Sequence, residues 1–298
     1  MSLKDKEEMT KTFCLSLHAE VSQLIDSVHY KQHLERSQAP NRDKILFEAV
    51  DSFRYIIAIL NLWDVTPEEF GKAFFSKDVF LNKREELNTK KRRKNQPVII
   101  CDVDDVIAEF RITYAKYVKS EFNVSIDPQS TEYYNINPIA SAGLDPENVF
   151  VSFVSSGGFA NLPVCNGMIS VLQEFQKRGY WIQLLTARPK DNARCVYDTY
   201  SWLVKHSIPF DSIDFSTEKY IWISDKDYYN TNLLICALDD SLKHASEYAQ
   251  HGVPVIIPEK SYNSIIPKAL RKKMIRVKHN NIKILEAVDN IISNQKKG

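Results

Sequence analysis

The sequence has no cysteines in CxxC spacing, no apolar run approaching the roughly 18 residues of a membrane span, and almost no net charge. Its five cysteines, Cys14, Cys101, Cys165, Cys195 and Cys236, are odd in number and scattered. That argues against a disulfide framework and for a reducing, cytoplasmic compartment. Lys and Arg total 39 against 38 Asp and Glu, a balance of +1, so nothing global argues for nucleic acid or an anionic membrane surface as partner. The opening MSLKDKEEMTK is polar and lacks the apolar segment of a secretory signal. No internal repeat is visible. What is present is a chain of 298 residues, 44% apolar, long enough for two domains.

From about residue 8 to 87 the pattern is helical: Phe13, Leu17, Val21, Leu24 and Val28 recur at three and four, as do Ile45 or Leu46, Val50, Phe53, Ile57 and Leu60. APNR, at 39–42, separates the first long helix from the second, and WDVTPEEF predicts a turn with Thr66 as N-cap and Pro67 at the first helical position. NTKKRRKNQP, at 88–97, reads as a solvated basic linker and places the domain boundary there.

Beyond it, short apolar runs alternate with helical stretches: VIICDV, WIQLLTA, YIWIS, LLICALDD and PVIIPE. Continuous apolar strands between helices imply a parallel sheet covered on both faces, with its ligand crevice at the strands' carboxyl ends. The polar residues fall there: Asp102 and Asp104, then Thr186 and Arg188, then Asp239 and Asp240. The last 31 residues, from KALRKK onward, read as a basic amphipathic tail packed as a helix.

Carboxylates crowded at strand ends repel one another unless a cation relieves them. Asp102, Asp104 and Asp239 would make the oxygen-rich pocket that Mg2+ prefers, with a substrate phosphate completing its shell. Asp102 could then attack phosphorus, giving an aspartyl-phosphate, while Asp104 protonates the leaving oxygen and later activates water. Thr186 would offer a hydroxyl to the transferring phosphoryl group and a lysine would balance its charge. Arg188 and Asp240, beside these, are candidates for binding substrate. Lys226 in WISDKD and Lys219 in FSTEKY both precede the last acidic motif; Lys226 is favoured because SDK leads directly into NLLICALDD.

This order of motifs resembles the haloacid dehalogenase superfamily of phosphohydrolases, and DVDDVIAEF with TARP looks closest to its 5'-nucleotidase and deoxyribonucleotidase-like branch. The resemblance covers about residues 97–260 and implies Asp102 as nucleophile, Asp104 as acid/base with its backbone carbonyl on Mg2+, and Asp239 as the remaining protein ligand. Asp105 departs from the Gly that many relatives carry. Roughly 75 residues separate Asp105 from the strand holding Thr186, far more than a crossover needs. The excess reads as a cap, about 107–178, in which Tyr133, Tyr134, Phe153 and Phe159 could stack on a base, although cap core suits each of them better; Gly157 and Gly158 could let backbone approach a ligand.

In the helical part, Glu48 and Asp51 share a helix face and, with Glu20 on the preceding helix, could grip an ion. EAVD resembles the ExxD half of the MazG-like and dimeric dUTPase group of all-α NTP pyrophosphohydrolases, over about residues 10–86. The ExxE half departs at Gln23 of EVSQ, a neutral and weaker ligand. The resemblance implies phosphate contacts from Lys77, Asn82 and Arg84 in KDVFLNKR, and a homo-oligomer assembled through these helices.

The expected fold is therefore an α/β Rossmann-like haloacid dehalogenase fold at 98–298 with a cap insertion, preceded by an all-α domain at 1–87. The expected function is Mg2+-dependent hydrolysis of a nucleoside monophosphate or other small phosphomonoester, coupled to triphosphate pyrophosphohydrolysis by the helical domain. Two rivals are a phosphatase whose helical domain only oligomerises or senses nucleotide, and a scaffold that binds nucleotide without catalysis.

Overall fold

The computed structural model describes residues 1–28, 40–130 and 136–295. The chain divides into two compact units, Met1–Phe75 and Ser76–Gly298.

The first unit is helical. Helix α1 (Leu3–Asp26) is closed by a capping box between Ser2 and Asp5, and α2 (Arg42–Leu62) starts where the Asn41 carboxamide oxygen accepts from the N–H groups of Asp43 and Lys44. Helix α3 (Pro67–Thr89) begins as the sequence predicts: Thr66 Oγ1 accepts from Glu69 N at 3.2 Å, and Glu69 Oε2 accepts from Thr66 N at 2.8 Å. The unit has little core of its own. Leu15, Phe47 and Phe53 are 74%, 67% and 51% exposed, and Ser52 is the one buried residue of α1 and α2.

The division falls inside α3, upstream of the expected 88–97 boundary, because Phe80 and Leu87 on its second half pack against the α/β core. Phe80 lies 5.0 Å from Tyr197 and 4.9 Å from Tyr200, ring centre to ring centre.

The second unit is built on a parallel sheet of β1 (Val98–Cys101), β2 (Trp181–Thr186), β3 (Ser212–Phe215), β4 (Leu234–Leu238), β5 (Val255–Pro258) and β6 (Met274–Val277), in the order β3-β2-β1-β4-β5-β6. Every residue of β1, β4 and β5 is buried, as strands covered on both faces require. The direction of winding reverses between β1 and β4, and at such a switch point the loops part to leave a crevice.

Two sequence expectations are corrected. YIWIS is not a strand but lies in helix α9 (Lys219–Ser224), with Lys219 and Ile223 on its buried face; a five-residue apolar run has no periodicity that separates strand from buried helix turn. The neighbouring strand is β3, whose SIDF alternates polar and apolar at the sheet edge. The basic tail is likewise not one helix: it holds β6 before α11 (Asn281–Gln295).

Between β1 and β2 stand α4 (Phe110–Phe122), α5 (Ile136–Ser141), α6 (Pro146–Ser155), a 3-10 turn (Gly158–Asn161) and α7 (Met168–Lys177). Helix α7, inside the range expected for the cap, packs on β2 and α11 and is the crossover helix. The insertion proper is α4 through the 3-10 turn, closed around Phe110, Tyr114, Phe153 and Phe159, all buried. Fully burying one such side chain is worth about 1.5–3 kcal/mol, so this cluster is a main source of the insertion's packing energy. Gly158 serves that cluster, since a Cβ there would stand 2.3 Å from the Phe153 ring. Among the described residues no helix is long and apolar enough to cross a membrane.

Candidate active site

Parallel pairing sets the site. Cys101 is in register with Leu184 on one side and Leu238 on the other, so Asp102 leaves β1 beside the end of β4, with its N–H bonded to Leu238 O at 2.9 Å. Asp102, Asp239 and Asp240 each place a carboxylate oxygen within 4.8 Å of the others, and all three are buried. Lys219, at the start of α9 (after β3), reaches between them: Nζ is 2.8 Å from Asp102 Oδ1 and 2.8 Å from Asp239 Oδ2. Val103 N adds a 2.7 Å bond to Asp102 Oδ1, and Ser241 N a 3.0 Å bond to Asp239 Oδ1.

The sequence-favoured lysine is elsewhere. Lys226 Nζ sits 3.9 Å above the Trp222 ring, and Lys219 takes the place expected for it. Thr186 is fully buried at the end of β2, its Oγ1 accepting from Arg188 N at 3.3 Å. Asp104 stands outside the buried trio but lines the same cavity, its carboxylate paired with Arg188. Asp240, expected among substrate contacts, supplies the third carboxylate of the trio, with Tyr262 donating its hydroxyl to Oδ2.

Asp105 has φ of 54°, a left-handed angle that Asp tolerates better than most residues other than Gly. Its carboxylate also accepts from Arg111 N at 3.3 Å near the start of α4. Phe153 and Phe159 are insertion core, while Tyr133 and Tyr134 lie outside the described residues.

The electrostatics are those of crowded buried acids. Burial pushes Asp102 up to about 7, with Lys219 opposing and Asp239 adding to the rise. Burial, then Asp105, Asp102 and Asp239, drive Asp240 well above the carboxylate range. Burial would also raise Asp239, but Lys219 holds it down to about 2. Among the described residues Lys219 is the one buried cation touching the trio. Three hard oxygen donors with excess negative charge suit a small divalent cation, and Asp102, Asp239 and Asp240 are the residues that would hold it.

Two cavities adjoin the trio. A tight one is lined by Asp102, Asp104, Asp105, Arg111, Asp240 and His244. A larger one, about 690 Å³, shares Arg111, Ala187, Ser241 and His244 with it and adds Phe150, Pro189, Leu242 and Tyr262 as an apolar wall. Arg111, His244 and Tyr262 were not singled out by sequence; for His244 the available signal is its place four residues after Asp240, on α10 (Leu242–Gln250).

In the helical unit, Glu20, Glu48 and Asp51 come together with carboxylate oxygens within 4.8 Å of one another, all half-buried. Glu20 and Asp51 line a cavity of about 340 Å³ with Phe13, Arg54 and Tyr55. Lys77, Asn82 and Arg84, expected at phosphates there, belong to the second unit. Lys77 Nζ donates to Tyr197 Oη at 2.6 Å, Asn82 Nδ2 to Asp78 Oδ2 at 3.1 Å, and Arg84 lies 5.1 Å from the Phe80 ring.

A search of the curated proteins finds no match. Among solved structures, the chain is similar to β-phosphoglucomutase from Clostridium difficile, at 14% identity and TM-score 0.43 over 68% of this chain and 100% of that one. CbbY from Rhodobacter sphaeroides in complex with phosphate matches at 18% identity and TM-score 0.44, over 65% of this chain and 99% of that one. A phosphonoacetaldehyde hydrolase-like protein from Oleispira antarctica matches at 10% and 0.46, over 68% and 95%. Residues 96–282 match the family described as 5' nucleotidase, deoxy (pyrimidine), cytosolic type C protein. That match takes in both acidic strand ends and Lys219, and spans well over half of the sequence. The chain belongs to this family, and its α/β unit is a phosphatase of the nucleotidase class.

Proposed function

We propose that the α/β unit hydrolyses a nucleoside monophosphate, or a similar small phosphomonoester, through a phosphoryl group carried on Asp102. The observation that carries this reading is the meeting of Asp102, Asp239, Asp240 and Lys219 where the sheet reverses direction. Asp102 Oδ1 is engaged by Val103 N–H and Lys219, which leaves Oδ2 to attack. As the Oδ2–phosphorus bond forms, the bond to the leaving oxygen breaks and the Asp104 carboxyl gives that oxygen its proton. Asp104, now a carboxylate, takes a proton from water, whose oxygen attacks phosphorus and releases phosphate and Asp102. Lys219 balances charge throughout, and Thr186 is assigned to the phosphoryl oxygens. Mg2+ held by Asp102, Asp239 and Asp240 would neutralise the charge that otherwise keeps carboxylate and phosphate apart. The 690 Å³ cavity, with Phe150 and Tyr262, suits a leaving group that presents a flat aromatic face, as the base of a nucleoside does.

For the helical unit we propose a nucleotide- and metal-binding module resembling the MazG-like group, built on Glu20, Glu48 and Asp51, which assembles with copies of itself. The exposed Leu15, Phe47 and Phe53 support assembly, because an apolar face with so little core beneath it gains by being covered. If the module is active it converts a triphosphate to the monophosphate that the second unit consumes. Gln23 favours the second reading, in which it senses nucleotide without cleaving it. A nucleotide panel with phosphate and pyrophosphate release measured separately decides the matter. Asp102→Asn should abolish phosphate release, and Glu48→Ala should abolish any pyrophosphate release while phosphate release stays intact. No turnover of any nucleotide by the intact protein would leave only the scaffold.

A further inference from the structure

Arg188 is enclosed on three sides. Its guanidinium forks onto Asp104, with Nε 3.0 Å from Oδ2 and Nη2 2.7 Å from Oδ1. Nη1 donates to Thr199 Oγ1 at 2.9 Å, on α8 (Ala193–Lys205), and the cation lies 4.3 Å from the Phe159 ring centre. Thr199 is itself fixed through Oγ1 to Cys195 O at 2.7 Å. Phe159 belongs to the insertion and is wedged between Phe110 and Phe153. The chain just beyond it is pinned by Trp202 Nε1 donating to Leu162 O at 2.6 Å. The Arg188 side chain is 1% exposed, so it offers no surface to substrate, contrary to its expected role.

We propose that Arg188 is a positioning residue that ties the orientation of Asp104 to the seating of the insertion. The inference rests on the reading of Asp104 as acid/base. An aspartate side chain on a loop has two free torsions, and a bidentate fork fixes the plane of its carboxylate as a single-point contact cannot. Stacking on Phe159 and the bond to Thr199 in turn fix the fork. A buried ion pair contributes little net stability compared with a packed apolar pair, so stability alone gives scant reason for a guanidinium here. Proton transfer does give a reason, since it demands an orientation held within a fraction of an ångström.

Leaving-group chemistry tests this. p-Nitrophenolate leaves without being protonated, whereas the alkoxide of a nucleoside monophosphate needs a proton. First-turnover rates of alcohol or phenol release are compared for the two esters. Asp104→Asn sets the scale: the nucleotide rate should fall far more than the aryl rate. Arg188→Lys, which cannot fork, should lower the nucleotide rate roughly 30- to 100-fold and the aryl rate by less than about three-fold, with both KM values within about three-fold. Phe159→Leu should shift the same ratio about five-fold. Equal losses on both esters in Arg188→Lys would mean a merely structural role, and a large rise in KM would mean a substrate contact; either overturns the proposal. An unchanged ratio in Phe159→Leu removes the link to the insertion. If Arg188→Lys fails to fold, Thr199→Val is read in the same way. An unchanged ratio in Asp104→Asn would instead sink the acid/base assignment itself.

Discussion

The two acidic trios of this chain sit in opposite surroundings. Asp102, Asp239 and Asp240 are buried at strand ends and cross-braced by Lys219, Val103 N–H, Ser241 N–H and Tyr262. Glu20, Glu48 and Asp51 stand half-buried on helices, with an Arg54–Asp51 contact of 3.4 Å at their edge. Burial magnifies each charge, so the first trio is strained without a cation and sensitive to every neighbour. The second is screened by water and can lose a member cheaply. The fully buried strands of the α/β unit supply the core that such a buried site needs, and the helical unit, with almost no buried residues on α1 and α2, does not.

The contrast breaks most visibly at Lys219. Lys219→Met should lower phosphate release roughly a thousand-fold, about 4 kcal/mol of barrier, and destabilise the α/β unit, since orphaning one side of a buried pair costs about 3–5 kcal/mol. Lys226→Met removes the contact with Trp222, worth about 0.5–1 kcal/mol, and an attraction to Asp214, and should leave turnover near wild type. Steady-state phosphate release and denaturant melts check both; equal effects at the two lysines would undo the assignment.

A smaller effect sharpens the helical side. Phe47→Glu puts a charge on the exposed apolar face, and sedimentation should show the assembly dissociating while the fold changes by less than about 0.5 kcal/mol, as at other surface positions. A wild-type chain that is already monomeric would contradict the proposed self-association.

A further effect is one of pH. His279 is pushed down to about 4, chiefly by burial and then by Lys260, although it contacts Val106 O at 3.0 Å. Between pH 6.5 and about 4 the unfolded chain therefore binds a proton that the folded one does not. Stability is lost as pH falls through that window, and levels off below it. Denaturant midpoints against pH should show this slope, and His279→Gln should flatten it.

Much of this layout was legible in the sequence. β1, β2, β4 and β5 carry continuous apolar runs that end in acids or Thr186, and Thr66-Pro67 announces its helix by capping chemistry alone. The choice between Lys219 and Lys226 was not legible, and the cause is physical: SIDF at the sheet edge is half polar and gives a weak strand signal, while YIWIS is apolar enough to imitate one. Adjacency to NLLICALDD favoured Lys226, and reading YIWIS as a strand hid that Lys219 opens a helix on its buried face. The enclosure of Arg188 was hidden for another reason, because its partners Asp104, Thr199 and Phe159 come from three separate segments that only the fold brings together.

The central claim is that Asp102 carries the phosphoryl group. Rapid acid quench during nucleotide turnover, followed by peptide mass spectrometry, addresses it directly. The account predicts one added phosphoryl group on the peptide containing Asp102, absent from Asp102→Asn and discharged by hydroxylamine. Undiminished phosphate release by Asp102→Asn, or the label on any other residue, would contradict it.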